Sequence, residues 1–372
     1  YHLIFLVKIK FIMKVCIIGN NLTSLALAKA LVNKEIFVDI LYKYKNISLD
    51  KTRTIGLSKS NINFFIKNIS NINKILWPIK KIKIFSENSG NKEIIKFNDP
   101  NNNLFSIMSN YKLYNQLNSE LCKNKYYKSK KSISLKSLIK LDHDLIINCD
   151  HNHEITKKLF FKKFEKNYDS FAFTTIIEHK KLIMNNTAIQ IFTNRGPVAF
   201  LPISNNKTSV VYSMRSKVNE NNFDMKKFIS RFNSFYEIQK INKISKFQLK
   251  ALSLRKYYKS NILAFGDLLH KLHPLAGQGF NMSVRDINKL LNVIDRRIEL
   301  GLPLDQTVCK EFQNQTKSDN FIFSEGIDFV YEFFNSQNTI RNKLVDTTIK
   351  YIGKNKFLNE YFKKIADVGL KT

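Results

Sequence analysis

The residues with the most chemistry in their order run Gly266-Asp267-Leu268-Leu269-His270-Lys271-Leu272-His273-Pro274-Leu275-Ala276-Gly277-Gln278-Gly279-Phe280-Asn281-Met282. The segment before them, Asn261 to Gly266, has the look of a buried parallel strand that ends in Gly-Asp. Asp267 then falls at the carboxyl edge of a sheet, where a carboxylate can accept hydrogen bonds from sugar hydroxyls. Pro274 pre-sets the loop, and Gly277 and Gly279 let backbone lie against a flat ligand. A long helix expected just after Gly279-Phe280-Asn281 offers free N–H groups and partial positive charge to a phosphate. The plain alternative is a Gly-bearing turn with two incidental histidines. His270 and His273 are three residues apart but have no Cys or carboxylate pattern around them, so no metal site is read there. His273 reads first as a hydrogen bonder within the loop, and it is the one candidate for a catalytic role. His270 is expected to face solvent.

A second anion-binding signal opens the chain. Lys14 to Gly19 reads as a buried strand, Leu22 to Asn33 as a helix and Ile36 to Tyr42 as a second strand, a βαβ start. A dinucleotide fingerprint, G-x-G-x-x-G, belongs in the first turn. Here the window is Gly19-Asn20-Asn21-Leu22-Thr23-Ser24, and only the first Gly is present. Asn21 puts a side chain where backbone should approach a pyrophosphate, and Ser24 is a small substitute for the third Gly. The ribose-binding acid should close the second strand, but Tyr42 or Lys43 stands there. Alone, the turn fits a nucleotide site or a plain βαβ crossover.

The elements that must position these two signals follow from periodicity. Ser58 to Ile69 and Asn110 to Lys123 read as helices, and Ile82 to Phe97 as a hairpin around Glu87-Asn88-Ser89-Gly90. Ser132 to Ile139 and Asp144 to Cys149 read as strands. Ala172 to Ile177, Ala188 to Thr193, Ala199 to Pro202 and Ser209 to Met214 form a second, mostly antiparallel layer, followed by a helix over Phe223 to Ile238. Val284, Ile287, Leu291, Ile294 and Ile298 make one apolar helix stripe, and Gln306 to Gly369 is expected to be helical.

Composition narrows the class. Of 372 residues, 44% are hydrophobic, with 30 Phe, which supplies core material and excludes disorder as the overall state. Lys and Arg total 61 against 30 Asp and Glu, a net charge of +31. Such a field attracts anionic surfaces, but Lys, Asn and Ile are heavy everywhere, as AT-rich codon bias would produce. No nucleic-acid motif accompanies the charge, so no specific nucleic-acid partner is expected. Cys16, Cys122, Cys149 and Cys309 are scattered and read as reduced thiols of a cytoplasmic protein. No apolar window is long enough to span a membrane. Residues 1–12 read as an extension before Met13.

The late loop closely resembles the third flavin-binding motif of aromatic-ring flavoprotein monooxygenases, and most of all the ubiquinone-biosynthesis hydroxylases (UbiH/UbiF/VisC-like). Three further segments resemble that family in order: Asp50-Lys51-Thr52-Arg53-Thr54-Ile55-Gly56-Leu57-Ser58, Thr193-Asn194-Arg195-Gly196-Pro197-Val198-Ala199-Phe200-Leu201-Pro202, and Lys317-Ser318-Asp319-Asn320. The resemblance implies an α/β fold: a doubly wound, Rossmann-like FAD-binding domain with an inserted β-sheet substrate domain and a C-terminal helical region, as in p-hydroxybenzoate hydroxylase. It implies an FAD domain over 13–76, 100–167 and 248–305, a substrate domain over 77–99 and 168–247, and helices over 306–372. Gly19, Arg53, Asp150, Gly266, Asp267, Pro274, Gly277, Gly279 and Asn281 become the expected cofactor contacts. The implied activity is hydroxylation of a polyprenyl phenol, with FAD, NAD(P)H and O2 acting through a flavin C4a-hydroperoxide. A lipophilic substrate implies contact with the inner face of a membrane, and other ubiquinone-biosynthesis proteins are implied partners. The departures lie on the pyrophosphate side: two glycines lost near Gly19, Tyr111 where the family has an Arg, and His151 where it has a Gly after Asp150. They leave open a non-catalytic subunit of a quinone-biosynthesis assembly.

Overall fold

The computed structural model describes residues 12–43, 49–87, 93–99, 102–131, 137–138, 142–215, 223–272 and 278–336. The strand Lys14–Ile18 lies inside a six-stranded sheet in the order 258–259, 262–264, 145–148, 14–18, 37–42, 127–131. Its neighbours Phe37–Tyr42 and Leu145–Asn148 both run parallel to it. Val15 to Ile18 are fully buried, as an unbroken apolar run requires in a sheet covered on both faces. The chain leaves this strand to one side through the helix Leu22–Val32 and returns later on the other side at Leu145–Asn148. That reversal makes the carboxyl end of Lys14–Ile18 a switch point, where a crevice opens in doubly wound sheets.

The helix Leu22–Val32 is buried along nearly all its length, because it packs on the helices Asn110–Cys122 and Gln278–Glu299 as well as on the sheet. The helix Gln278–Glu299 buries Val284, Ile287, Leu291 and Ile294, while Ile298 at its end is 37% exposed. It begins at Gln278, earlier than expected, so Gly279 and Asn281 lie in its first turn.

A second, nine-stranded sheet runs in the order 270–271, 245–254, 163–179, 207–215, 196–202, 187–193, 81–86, 93–98, with 238–241 also beside 163–179. The helix Met225–Phe232 closes one face of this sheet over Val198, Phe200, Val210 and Tyr212. A small third sheet joins Thr54–Ser58, Phe105–Ser109 and Trp77–Ile79. The long helix Gln306–Ser336 packs on Gln278–Glu299.

Several elements differ from expectation. Of the strand expected at Ser132 to Ile139 only Ser137 and Leu138 lie within the described residues, and they are helical, while Tyr127–Lys131 forms an unanticipated Lys-rich edge strand. Charged residues suit an edge, where they discourage further pairing, but they hide the strand from an apolar count. The helix expected over Phe223 to Ile238 stops at Phe232. Asn233 ends it by accepting from the Tyr236 N–H and donating to the Tyr236 carbonyl, an Asx turn that competes with helix. The strand expected over Ala172 to Ile177 extends from Lys163 to His179, and its partner Ser245–Leu254 was not anticipated. Beyond Ser336 the expected C-terminal helices lie outside the described residues.

The turn Thr193–Gly196 brings two backbones of the second sheet close together. Gly196 has φ +126°, and a Cβ there would lie 1.9 Å from the Ser213 carbonyl oxygen. Gly196→Ala is expected to cost about 3 kcal/mol, read as a lower urea midpoint with an unchanged slope.

Candidate functional site

Three chain segments converge at the carboxyl edge of the parallel sheet. Gly19, at φ +101°, donates its N–H to the Leu41 carbonyl at 2.8 Å. A Cβ on Gly19 would stand 3.3 Å from the Asp150 Cβ, so this turn and the loop after Leu145–Asn148 are in contact. The third segment enters at Gly266, at φ +66°, where a Cβ would meet the Thr23 Cγ2 at 2.9 Å. Gly266 therefore lets the late strand end directly on the first helix. Asp267 follows and is exposed at the sheet edge.

Asn21 does two jobs in this turn. Its Oδ1 accepts from the Ser24 N–H at 3.0 Å, capping the first helix, and its Nδ2 donates to the Cys149 carbonyl at 2.8 Å. The side chain thus ties the first turn to the Asp150 loop. Asp150 holds its own loop by accepting from the Asn152 N–H at 2.8 Å, while its carbonyl accepts from the Thr156 hydroxyl.

His151 is exposed at its rim, yet desolvation by its surroundings lowers its pKa, so the imidazole is neutral at neutral pH. Asp267 and Asp150 pull the other way, and Lys271 and Lys163 reinforce the lowering. These charges act on one ring because the Asp150 and Asp267 loops lie side by side.

Arg53 sits on a separate wall. Its guanidinium lies 5.1 Å from the Phe247 ring centroid, and its carbonyl accepts from the Asn110 N–H at 3.1 Å. The neighbouring Lys51 ammonium stands 5.1 Å over the Tyr111 ring. Thr52 fixes this turn by donating its N–H and hydroxyl to Asp50 Oδ1. Burial opposes ionisation of Asp50, but hydrogen bonds from Ser245 and Thr52 and the Arg53 charge together lower its pKa. The Thr52 and Thr174 hydroxyls meet at 3.0 Å, and Thr54 donates to Ser209 at 3.0 Å, so this wall rests on the second sheet.

Asn281 is buried, and its side chain is spent on structure. It accepts from the Ser58 N–H at 3.0 Å and Asn61 Nδ2 at 2.8 Å, and donates to the Gly56 carbonyl at 2.7 Å. Gly279, two residues earlier, would put a Cβ into open space. His273, Pro274 and Gly277 lie outside the described residues.

His270 does not face solvent. It is 2% exposed, and its Nε2 meets Asp286 Oδ2 at 2.5 Å. Asp286 also accepts from Asn320 Nδ2 at 3.1 Å, which links the loop to both long helices. These partners lie 16 and 34 residues apart, outside any local pattern, so only their residue types could have pointed to them.

Residues 141–297 match the FAD binding domain family. The chain is 31% identical to the 3-demethoxyubiquinol 3-hydroxylase of Escherichia coli, over 40% of this chain and 39% of that protein. It is 27% identical to the mitochondrial ubiquinone biosynthesis monooxygenase of Homo sapiens, over 39% of this chain and 40% of that protein. These alignments span about two fifths of those relatives, whereas the Dictyostelium discoideum monooxygenase of the same name aligns over 87% of this chain and 82% of its own length, at 22% identity.

Residues 141–297 therefore read as an FAD binding domain, and the relatives that this chain resembles are ubiquinone hydroxylases.

In the fold comparison, the chain superposes on p-nitrophenol 4-monooxygenase of Pseudomonas putida with a TM-score of 0.76, covering 95% of this chain and 98% of that one at 13% identity. Klebsiella pneumoniae HpxO complexed with FAD and uric acid gives 0.72, covering 96% and 97% at 13% identity. At such identity the likeness concerns the fold: the doubly wound sheet with a second β-sheet and C-terminal helix is that of flavin monooxygenases.

The thiols stand apart from this site chemistry. Burial pushes Cys16, Cys149 and Cys309 up to about 12, whereas Cys122 is exposed. Since the thiolate is the nucleophile, native protein should label quickly at Cys122 and slowly at the other three, counted by mass spectrometry. Asn21→Ala removes both the cap and the Cys149 tether, and should cost about 1–2 kcal/mol, read as a lower melting temperature.

Proposed function

We propose that this chain binds FAD non-covalently in the crevice and is an FAD-dependent monooxygenase that hydroxylates the ring of a polyprenyl phenol in ubiquinone biosynthesis. The observation that carries the proposal is the abutment of Gly266 on Thr23, which sets Asp267 beside the Gly19 turn and the Asp150 loop. A carboxylate there accepts from the hydroxyls of a ribityl or ribose chain. The first turn of Gln278–Glu299 is tied to Gly56 and Ser58 through Asn281, and the partial positive charge of a helix N-terminus suits a flavin ring that carries negative charge. The residues therefore fit the riboflavin half of FAD. FAD, reduced by NAD(P)H, would supply the activation of O2, and the chain supplies binding, orientation and exclusion of water.

On the pyrophosphate half, Asn21 occupies the place of a glycine. Lys51, stacked on Tyr111, is the cation that stands in for the missing Arg. A charge-assisted contact of this kind contributes about 1.5–3 kcal/mol. The second sheet offers the substrate wall. In its register Thr174 pairs with Val211, Val211 with Ala199, and Ile176 with Ser209. Thr174 and Ser209 touch the Arg53 wall, so Ala199, Val211 and Ile176 share that face. All three are half-buried, an apolar floor for a ring and its prenyl tail. His273 is kept as a candidate for orienting the ring, with no acid or base role assigned.

A second reading has its own support: the Asn21 cap and tether suit a turn that no longer holds nucleotide. The chain would then be a non-catalytic subunit of the quinone-biosynthesis assembly. Purified protein, or protein titrated with FAD, should show flavin absorbance and quenched flavin fluorescence. Asp267→Ala should weaken FAD binding at least about tenfold, or about 1.4 kcal/mol. His270→Ala should act differently, lowering the melting temperature by stranding the buried Asp286. Absence of flavin after incubation with excess FAD would favour the second reading.

A further inference from the structure

The connection 180–186, between the strands Lys163–His179 and Thr187–Thr193, presents two large apolar side chains to water. Ile183 is 98% exposed and Met184 is 68% exposed. The loop beneath them is held firmly. Leu182 turns inward against the second core and donates its N–H to the Asn205 carbonyl at 2.9 Å. Asn185 is buried and donates to the Ser204 carbonyl at 2.8 Å, while Tyr236 donates its hydroxyl to Asn185 Oδ1 at 3.2 Å. His179, also buried, bonds the Lys180 carbonyl at 2.9 Å and Thr208 Oγ1 at 3.0 Å. A tip fixed this way pays little ordering entropy on contact.

The charge around the tip is one-sided. Lys180 and Lys181 directly precede it and are exposed. The Lys80 and Lys81 N–H groups both donate to the Asn186 carbonyl, which brings that pair to the loop base. Lys207 and Lys240 stand on the strands alongside, next to Glu178. The acids at this end are Glu178, paired to Lys207 at 3.1 Å, and Glu237, 3.5 Å from Lys180. Apolar residues ringed by lysine match an anionic bilayer, with hydrocarbon below and negative headgroups at the rim.

We propose that the 180–186 loop is a contact site for an anionic lipid surface, with Ile183 and Met184 entering the interface and Lys180 and Lys181 meeting the headgroups. The inference goes beyond the flavoenzyme reading and does not depend on it. It names the part of the molecule that would face a membrane-borne substrate.

The chain carries its own reporter. Trp77, the one tryptophan of the sequence, donates its Nε1–H to the Asn185 carbonyl at 2.6 Å at the base of the loop. The full chain should co-sediment with vesicles of phosphatidylcholine and phosphatidylserine, and much less with phosphatidylcholine alone. Its tryptophan fluorescence should change on binding. Ile183→Asp with Met184→Asp should lower partitioning about tenfold, and Lys180→Glu with Lys181→Glu should remove the preference for phosphatidylserine. Leu300→Asp with Leu302→Asp, at exposed apolar positions elsewhere, should leave binding unchanged. Melting temperature and FAD titration serve as controls, since the loop variants should alter neither. No binding to either vesicle, equal loss from the control pair, or a dimer by sedimentation velocity that the Ile183 variant dissolves would overturn the proposal. Vesicle binding without flavin uptake would leave it standing and count against the flavoenzyme reading alone.

Discussion

The buried amide of Asn281 is the interaction on which the site depends. One side chain reaches Gly56, Ser58 and Asn61, and so locks the first turn of Gln278–Glu299 to the strand Thr54–Ser58 and the helix after it. Without that lock the helix N-terminus has no fixed position relative to the Arg53 wall. Thr54–Ser58 in turn pairs antiparallel with Phe105–Ser109, which leads into Asn110 and Tyr111. The crevice is therefore framed by segments far apart in sequence. Asp267, Lys51 and Arg53 stand on its walls, and in the proposed flavin site they are the side chains placed to meet the ligand.

The departures from the family pattern make physical sense as a linked set. A glycine at position 21 would leave the turn without a side-chain cap. Asn21 supplies one, and also fastens the turn to Cys149. Tyr111 removes a guanidinium but provides a ring face for Lys51. His151 brings a ring that is neutral at neutral pH to the rim between Asp150 and Asp267, where a charged imidazole would compete for both carboxylates. Around Asn21 and Tyr111 the chain thus has side-chain tethers and the Lys51 ammonium, while glycine and acid follow the strand end directly at Gly266–Asp267.

The sequence made the order of elements legible where apolar periodicity was strong: Lys14–Ile18, Leu22–Val32, Leu145–Asn148 and the stripe of Gln278–Glu299 all fall where their patterns place them. It failed where another force decides. Lys163 to Lys166 are exposed strand residues with no apolar alternation, held by pairing to Ala251–Leu254. Asn233 ends a helix by a side-chain turn that an amphipathic count ignores. In the site, Gly266 and Asp267 were legible because strand end, glycine and acid are contiguous. The burial of His270 was not, because it follows from Asp286 and Asn320, whose approach only the packed helices define. The structural use of Asn281 was hidden for the same reason, its partners lying more than two hundred residues earlier.

Hydrogen–deuterium exchange with and without excess FAD tests the account most directly, since it reports each wall of the crevice separately. Flavin binding should slow exchange in the Gly19–Ser24 turn, in Asp50–Thr54 and in the first turn of Gln278–Glu299, with little change in the second sheet's covered core around Tyr212. Unchanged exchange at all three walls, or protection confined to another surface, would contradict the claim that this crevice is a flavin site.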